Sequence, residues 1–140
     1  MNHSIHELQP DDLPAVTALW RRTEGVGLNE SDSPENIAIY LARNPGMSFV
    51  ARNDAGEIVG AVLCGHDGRR GYLHHLAVEV SHRGGGIGKA LVESCFNSLR
   101  ASGITRCNIF LYAENEAGRQ FWLHNGWSRR ADLMVMQKQI

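Results

Sequence analysis

Along this chain the apolar positions switch repeatedly between a period near two and a period near 3.6, and each switch marks an element. The stretch Ile5-His6-Glu7-Leu8-Gln9 alternates and predicts a first strand. Pro10-Asp11-Asp12 then turns into a helix whose Leu13, Val16, Leu19 and Trp20 share one face as far as about Thr23. Gly25-Val26-Gly27 ends it, and a polar loop covers 28–34. Ser33-Pro34-Glu35 opens a second, shorter helix with Ile37, Tyr40 and Leu41 on one side, stopped by Asn44-Pro45-Gly46. Strands over 47–52 and from 57 to about 65, joined at Asn53-Asp54-Ala55-Gly56, predict a hairpin. A turn at 66–71 leads into a strand over 72–78. After a glycine-rich loop, a long helix runs from 86 to about 102, with Ile87, Leu91, Cys95 and Leu99 in line and Gly103 as its C-cap. The continuous apolar run 107–113 predicts a buried strand. Asn115 caps a last helix with Phe121, Trp122 and Leu123 inward, and 127–139 predicts a final strand or hairpin. The order β-α-α-β-β-β-α-β-α-β implies one α/β domain over 1–140, built on a mixed sheet.

Composition narrows the partners. A chain of 140 residues, 43% hydrophobic and 21% charged, is an ordinary globular domain that can bury a core without cross-links. A net charge of −1 with histidine neutral provides no bulk field to recruit nucleic acid or an anionic membrane, and neither is expected as a partner. No apolar run approaches membrane-spanning length, and the N-terminus lacks the basic-then-apolar pattern of a signal peptide. Cys64, Cys95 and Cys107 are odd in number and share no C-x-x-C spacing, so they read as buried thiols in a reducing compartment. A cytoplasmic protein is expected.

The chemistry concentrates in His82-Arg83-Gly84-Gly85-Gly86-Ile87-Gly88-Lys89-Ala90, four glycines in five positions at a strand-to-helix junction. Glycine lets a ligand approach main-chain N–H groups, and the first N–H groups of a helix lie unpaired at the positive end of its dipole. Such a cradle suits a phosphate or pyrophosphate. Two nucleotide motifs fail here. A P-loop needs a glycine where Arg83 stands and a hydroxyl where Ala90 stands. A dinucleotide fingerprint would need glycine at Lys89 or Leu91.

The pattern Arg/Gln-x-x-Gly-x-Gly/Ala does fit Arg83-Gly84-Gly85-Gly86-Ile87-Gly88, and there the chain resembles the GNAT N-acetyltransferase superfamily. The element order resembles that superfamily over nearly the whole chain. The resemblance implies the GNAT fold: a mixed central sheet with splayed middle strands, flanked by about four helices. It implies that acetyl-coenzyme A is the co-substrate and that no metal is required. Arg83, Gly84, Gly85, Gly86, Ile87, Gly88 and Lys89 would hold the pyrophosphate, and Leu76, Ala77 and Val78 would pair through their backbone with the pantetheine arm. Asn115-Glu116-Ala117-Gly118-Arg119-Gln120-Phe121-Trp122 is similar to the family's Asn-x-x-Ala-x-x-Phe/Leu-Tyr, so Asn115 and Trp122 would also contact the cofactor. Trp122 stands where relatives carry the tyrosine that protonates the leaving thiolate, and an indole N–H does not titrate.

For the amine's proton, Tyr72 and His74 lie two apart and share a strand face, with His75 expected on the other. The run His74-His75-Leu76-Ala77-Val78 also resembles the arylalkylamine branch, where a histidine at the place of His74 relays a proton through water. A packed sheet histidine is the other reading of His74. Tyr112 is the substitute acid, and Glu79 and Glu114 are weaker candidate bases. Because adjacent strand residues point apart, a two-histidine metal site is not expected. The acidic residues Glu24, Glu30, Asp32 and Glu35 read either as a solvated surface or as an acceptor lid that attracts a cationic amine.

Two functions from different classes follow. One is an acetyltransferase acting on a primary amine, of a small molecule or a protein N-terminus. The other is a non-catalytic acyl-coenzyme A-binding module or regulatory subunit. The chain is expected to act as a monomer or a homodimer, with Leu133-Met134-Val135-Met136 as an apolar run able to form an interface.

Overall fold

Among the described residues the apolar runs form five strands, β1 (His3–Glu7), β2 (Phe49–Asn53), β3 (Ile58–His66), β4 (Gly71–Val78) and β5 (Cys107–Ile109). The 3.6-period segments form four helices among the described residues, α1 (Leu13–Arg21), α2 (Pro34–Arg43), α3 (Ile87–Ala101) and α4 (Glu116–His124). The computed structural model describes residues 2–140, in two units, Met1–Phe110 and Leu111–Ile140.

In the first unit the sheet runs β1-β2-β3-β4-β5. Its first three pairings are antiparallel: short turns join β2 to β3 and β3 to β4, and β1 reaches β2 through α1 and α2. The β4–β5 pairing is parallel, because α3 carries the chain back across the sheet. Helix ends follow their capping residues. Ser33 Oγ accepts the Asn36 N–H at 3.2 Å to start α2. Past the end of α3, Gly103 takes φ +80° and the Ile104 N–H donates to the Leu99 carbonyl at 3.0 Å.

The two faces of this sheet are covered differently. Leu13, Val16, Leu19 and Trp20 of α1, with Ile37 of α2, pack on Val50, Ala61, Leu63 and Ala77. Helix α3 lies on the opposite face. There a Cβ on Gly60 would meet the Ile87 side chain at 3.0 Å, and one on Gly71 would meet Leu99 at 2.7 Å. Burying each of these large side chains contributes about 1.5–3 kcal/mol, which holds both helices to the strand that carries the candidate chemistry.

Another close approach ties α2 to β3. A Cβ on Gly65 would sit 2.5 Å from the Tyr40 hydroxyl and 2.7 Å from the Asn44 amide, whose Oδ1 accepts the His66 N–H at 3.1 Å. Gly65→Ala is therefore expected to lower unfolding free energy by about 1–3 kcal/mol, read from urea melts, since both neighbours must shift.

Two expected strands come out differently. The run 107–113 forms a strand only over Cys107–Ile109, and Phe110 is exposed. A strand buried on both sides needs a neighbour at each edge, and β5 pairs with β4 alone among the described residues. The final strand over 127–139 does not form, and Leu133, Met134, Val135 and Met136 are exposed. Local bonds take the backbone there instead. The Leu133 N–H donates to the Arg130 carbonyl at 3.3 Å, and Arg130 pairs with Asp132 across the same turn.

In the second unit Asn115 caps α4, its Oδ1 accepting the Gly118 N–H at 2.9 Å. Trp122 is buried, edge-on to Phe121 at 5.0 Å and to Trp127 at 4.9 Å.

Candidate active site

Strand β4 carries Tyr72, His74, Leu76, Ala77 and Val78, and its edge toward β5 is only half paired. Gly71, Tyr72 and Leu73 pair with Cys107, Asn108 and Ile109, and from His74 onward β4 has no partner in β5. The backbone of Leu76, Ala77 and Val78 thus lies beyond the last parallel pairing. This is the geometry in which an extended arm can add itself as a strand.

Between these halves β4 carries a bulge. Leu63 pairs with His74 and Ala61 with Ala77, so two residues of β4 lie opposite one of β3. His75 absorbs the extra residue at φ 55°, a left-handed conformation uncommon outside glycine. The bulge reverses the alternation, and Ala77 joins Trp20 and Leu63 in the core under α1. It also corrects the expectation that His75 faces away from His74. The His75 ring lies edge-on to Trp20 of α1 at 5.1 Å and its Nε2 bonds Asp32 Oδ1 at 2.8 Å, while the His74 ring lies edge-on to Tyr40 of α2 at 6.2 Å. The two imidazole centroids are 6.3 Å apart. Strand alternation therefore does not hold the two imidazoles apart, although no group of three or more metal-ligating side chains gathers among the described residues.

His74 and Tyr72 do share a face, as their spacing predicts. The rings of Tyr72, His74 and Phe110 stand nearly parallel: His74 is 6.5 Å from Tyr72 at 10° and 6.3 Å from Phe110 at 24°. Burial among these rings pushes the His74 imidazole below its ordinary value, and the neighbouring His75 charge lowers it further. The Asp32 carboxylate acts in the opposite direction. His74 is accordingly a neutral imidazole near pH 7, the form that accepts a proton.

Trp20 is fully buried, and its indole N–H donates to the His75 carbonyl at 2.8 Å. Trp20→Phe keeps the ring but leaves that carbonyl without its donor, so a loss of about 1–3 kcal/mol in thermal or urea unfolding is expected.

Glu79, a weaker candidate base, is engaged by Arg22 of α1, which donates from Nε at 3.1 Å and also from Nη2. The Arg22 guanidinium holds this carboxyl below the usual carboxylate range. Of the acidic residues before β2, Glu24, Glu30 and Glu35 are exposed, and Asp32 alone among these four makes an ion pair, with His75.

Past β4, a 3₁₀ turn (Val80–His82) leads to the glycine loop. Arg83 folds back, its Nε donating to the Val78 carbonyl at 2.9 Å, so the loop is tied to the strand end. Gly84 and Gly86 take φ +85° and +84°, which is what requires glycine at these places, and a Cβ on either would meet no other atom. Gly86 is the N-cap of α3, no side chain caps the helix, and no acidic residue lies in its first turn. The first N–H groups of α3 are therefore left for an anion, with the exposed amine of Lys89 beside them. His3 of β1 and His82 join Arg83, Gly84, Gly85 and Ile87 around a concavity of about 200 Å³ on the loop's flank. No spacing in the sequence signals His3 there.

Tyr112, Asn115 and Trp122 lie in the second unit. Tyr112 is exposed, and its carbonyl accepts the Asn115 N–H at 3.0 Å. Glu114 is exposed as well.

All three cysteines are free, Cys64 and Cys95 buried and Cys107 half-buried, and burial pushes the Cys107 thiol up to about 12. No helix among the described residues is long and apolar enough to cross a membrane.

Residues 13–127 match the model of the Acetyltransferase (GNAT) family. An acetyltransferase of Sodalis glossinidius is 34% identical over 114 residues, covering 81% of this chain and 78% of its own. Among solved structures, Ard1 of Thermoplasma volcanium superposes with a TM-score of 0.81 at 18% identity, covering 94% of this chain and 86% of its own. The PaiA N-acetyltransferase of Thermoplasma acidophilum, in complex with coenzyme A, gives 0.79 at 19% identity and covers 91% of each chain. At these identities the two structures establish the fold.

Proposed function

Because the chain belongs to the GNAT family of acetyl-coenzyme A-dependent acetyltransferases, we propose that it transfers an acetyl group to a primary amine, carried by a small molecule or by a peptide N-terminus. The reaction runs by direct attack in a ternary complex. The observation that carries the reading is the uncapped start of α3 behind two left-handed glycines, at the end of a strand half unpaired on one edge. The family match at 13–127 crosses both structural units, which supports treating 1–140 as one acetyltransferase domain.

Acetyl-coenzyme A, when bound, supplies an acyl group activated as a thioester. The N–H groups from Gly84 to Lys89 hold its pyrophosphate, with charge added by Arg83 and Lys89. The backbone of Leu76, Ala77 and Val78 pairs with the extended arm, and Asn115 and Trp122 contact that arm. An N–H near Val78 polarises the acyl oxygen. His74, neutral at pH 7, takes the amine's proton directly or through one water, and Tyr72 orients that water. Tyr112 returns a proton to the departing sulfur, because the indole of Trp122 donates a hydrogen bond without titrating. The free thiols fit a reducing compartment such as the cytoplasm.

A screen of primary amines for acetyl-coenzyme A-dependent thiol release tests this. Release with at least one amine class supports the transferase. Binding of acetyl-coenzyme A with no release across the screen supports instead the acyl-coenzyme A-binding module that Trp122 would suit.

A further inference from the structure

The most heavily engaged residue of β4 outside the roles assigned above is His75. Its backbone sits at φ 55°, which costs a non-glycine residue roughly 1–2 kcal/mol. Contacts from two distant segments hold it there. Its Nε2–H donates to Asp32 Oδ1 at 2.8 Å, its carbonyl accepts the Trp20 indole N–H at 2.8 Å, and the Trp20 ring stands edge-on to its imidazole. Both members of the His75–Asp32 pair are well shielded, with side chains 17% and 11% exposed. The other Asp32 oxygen accepts the Asn29 N–H at 3.1 Å, closing the 3₁₀ turn Glu30–Asp32. One carboxylate therefore fastens the segment between α1 and α2 to the bulge.

We propose that Asp32 and His75 are positioning residues for His74: their pair pins the left-handed bulge to the Glu30–Asp32 turn, and so fixes where the His74 imidazole stands. The inference rests on the reading of His74 as proton acceptor. Residues 74 and 75 adjoin in sequence, and only the bulge brings both rings to the α1–α2 side. Moving the bulge would move His74 with it, and a displacement of about 1 Å at a proton-transfer group can cost up to ~10²-fold in rate.

The pair also sets the charge around His74. A protonated His75 opposes protonation of His74, and the Asp32 carboxylate favours it. The other rings that face these two are Tyr72 and Phe110 beside His74, Tyr40 from α2 and Trp20 from α1. At the far end of β4, Arg22 and Glu79 neutralise one another.

The test uses the full chain in three forms: wild type, Asp32→Asn, which keeps an acceptor for the Asn29 N–H, and His75→Gln, which keeps a polar side chain. Imidazole NMR titration reads the His74 midpoint, and the acidic limb of kcat/KM reads the same group in turnover. Asp32→Asn should move the His74 midpoint and the limb to lower pH, and His75→Gln should move both to higher pH. Each variant should lower kcat roughly 10-fold while KM for acetyl-coenzyme A is unchanged, because the pair does not touch the glycine loop. Circular dichroism and thermal melts identify a variant that does not fold, and the other then decides. A His74 midpoint that stays put in the folded variants overturns the inference, as does a loss of stability alone with the pH profile intact. The NMR arm needs no turnover. Shifted midpoints in a chain that acetylates no amine would refute the acetyltransfer reading while leaving the Asp32–His75–His74 coupling in place.

Discussion

Replacing Gly84 and Gly86 together by aspartate is expected to abolish the thermal stabilisation that coenzyme A gives the wild-type chain. The two positions suit the test because a Cβ on either meets no other atom, so the added carboxylates occupy open space beside the start of α3. Each substitution places a side chain at positive φ, which aspartate tolerates better than most residues, so the fold should survive with a loss of about 1–2 kcal/mol per position. Gly88 is a poorer choice. It is buried in the first turn of α3, and a charge there would test folding rather than binding. With ligand at 100 times Kd, the wild type should gain about 2.7 kcal/mol, a shift of several degrees in Tm. The double variant should gain none, since two negative charges would face the phosphates and oppose the helix dipole. Full stabilisation of a folded double variant by coenzyme A would refute the glycine loop as the pyrophosphate site.

The second large effect concerns the proton. His74→Ala is expected to lower kcat/KM by ~10²-fold, the lower end for a positioned acid–base group. The pH profile carries more information than the magnitude. A base acts when unprotonated, and burial lowers the His74 pKa, so wild-type activity should persist below pH ~6.5 and fall only as pH drops through the lowered value. That limb should disappear in His74→Ala. Folding stability has the same sign. The unfolded chain protonates this histidine more readily than the folded one, so the increment is present above pH ~6.5 and is lost as pH falls through the folded value. If the acidic limb survives unchanged in His74→Ala, another group or bulk solvent takes the proton, and His74 is a packed histidine. Glu79 is a poor substitute, because Arg22 already engages its carboxylate.

The strand, glycine loop and helix at the centre of the chain were legible because their signals are local. An apolar run marked β4, glycines marked the turn, and the 3.6 period of Ile87, Leu91, Cys95 and Leu99 marked α3. The bulge at His75 was not legible. The left-handed residue is a histidine rather than a glycine, and its conformation is maintained by Asp32 and Trp20, 43 and 55 residues away in sequence. Pure alternation therefore put His75 on the wrong face, and the His75–Asp32 pair went unread. Asp32 looked like one more acidic residue of a polar loop, and only its inward turn separates it from the exposed Glu30 and Glu35. The C-terminal run failed for the converse reason. Leu133 to Met136 has the composition of a strand, but a strand exists only when a neighbouring edge satisfies its backbone, and Arg130 and Asp132 close a turn there instead. His3 reaches the flank of the glycine loop because α3, which follows the loop, contacts β1 across the sheet, a tertiary arrangement that no spacing in the sequence carries.

Wild-type chain, acetyl-coenzyme A and a primary amine identified by the thiol-release screen should yield free thiol and acetylated amine in equal amounts, both quantified by mass spectrometry. Both products should fall together in the Gly84→Asp/Gly86→Asp variant. Thiol released without acetylated amine would make the chain a hydrolase, and unimpaired transfer by the folded double variant would place the coenzyme away from the glycine loop; either result would contradict the account.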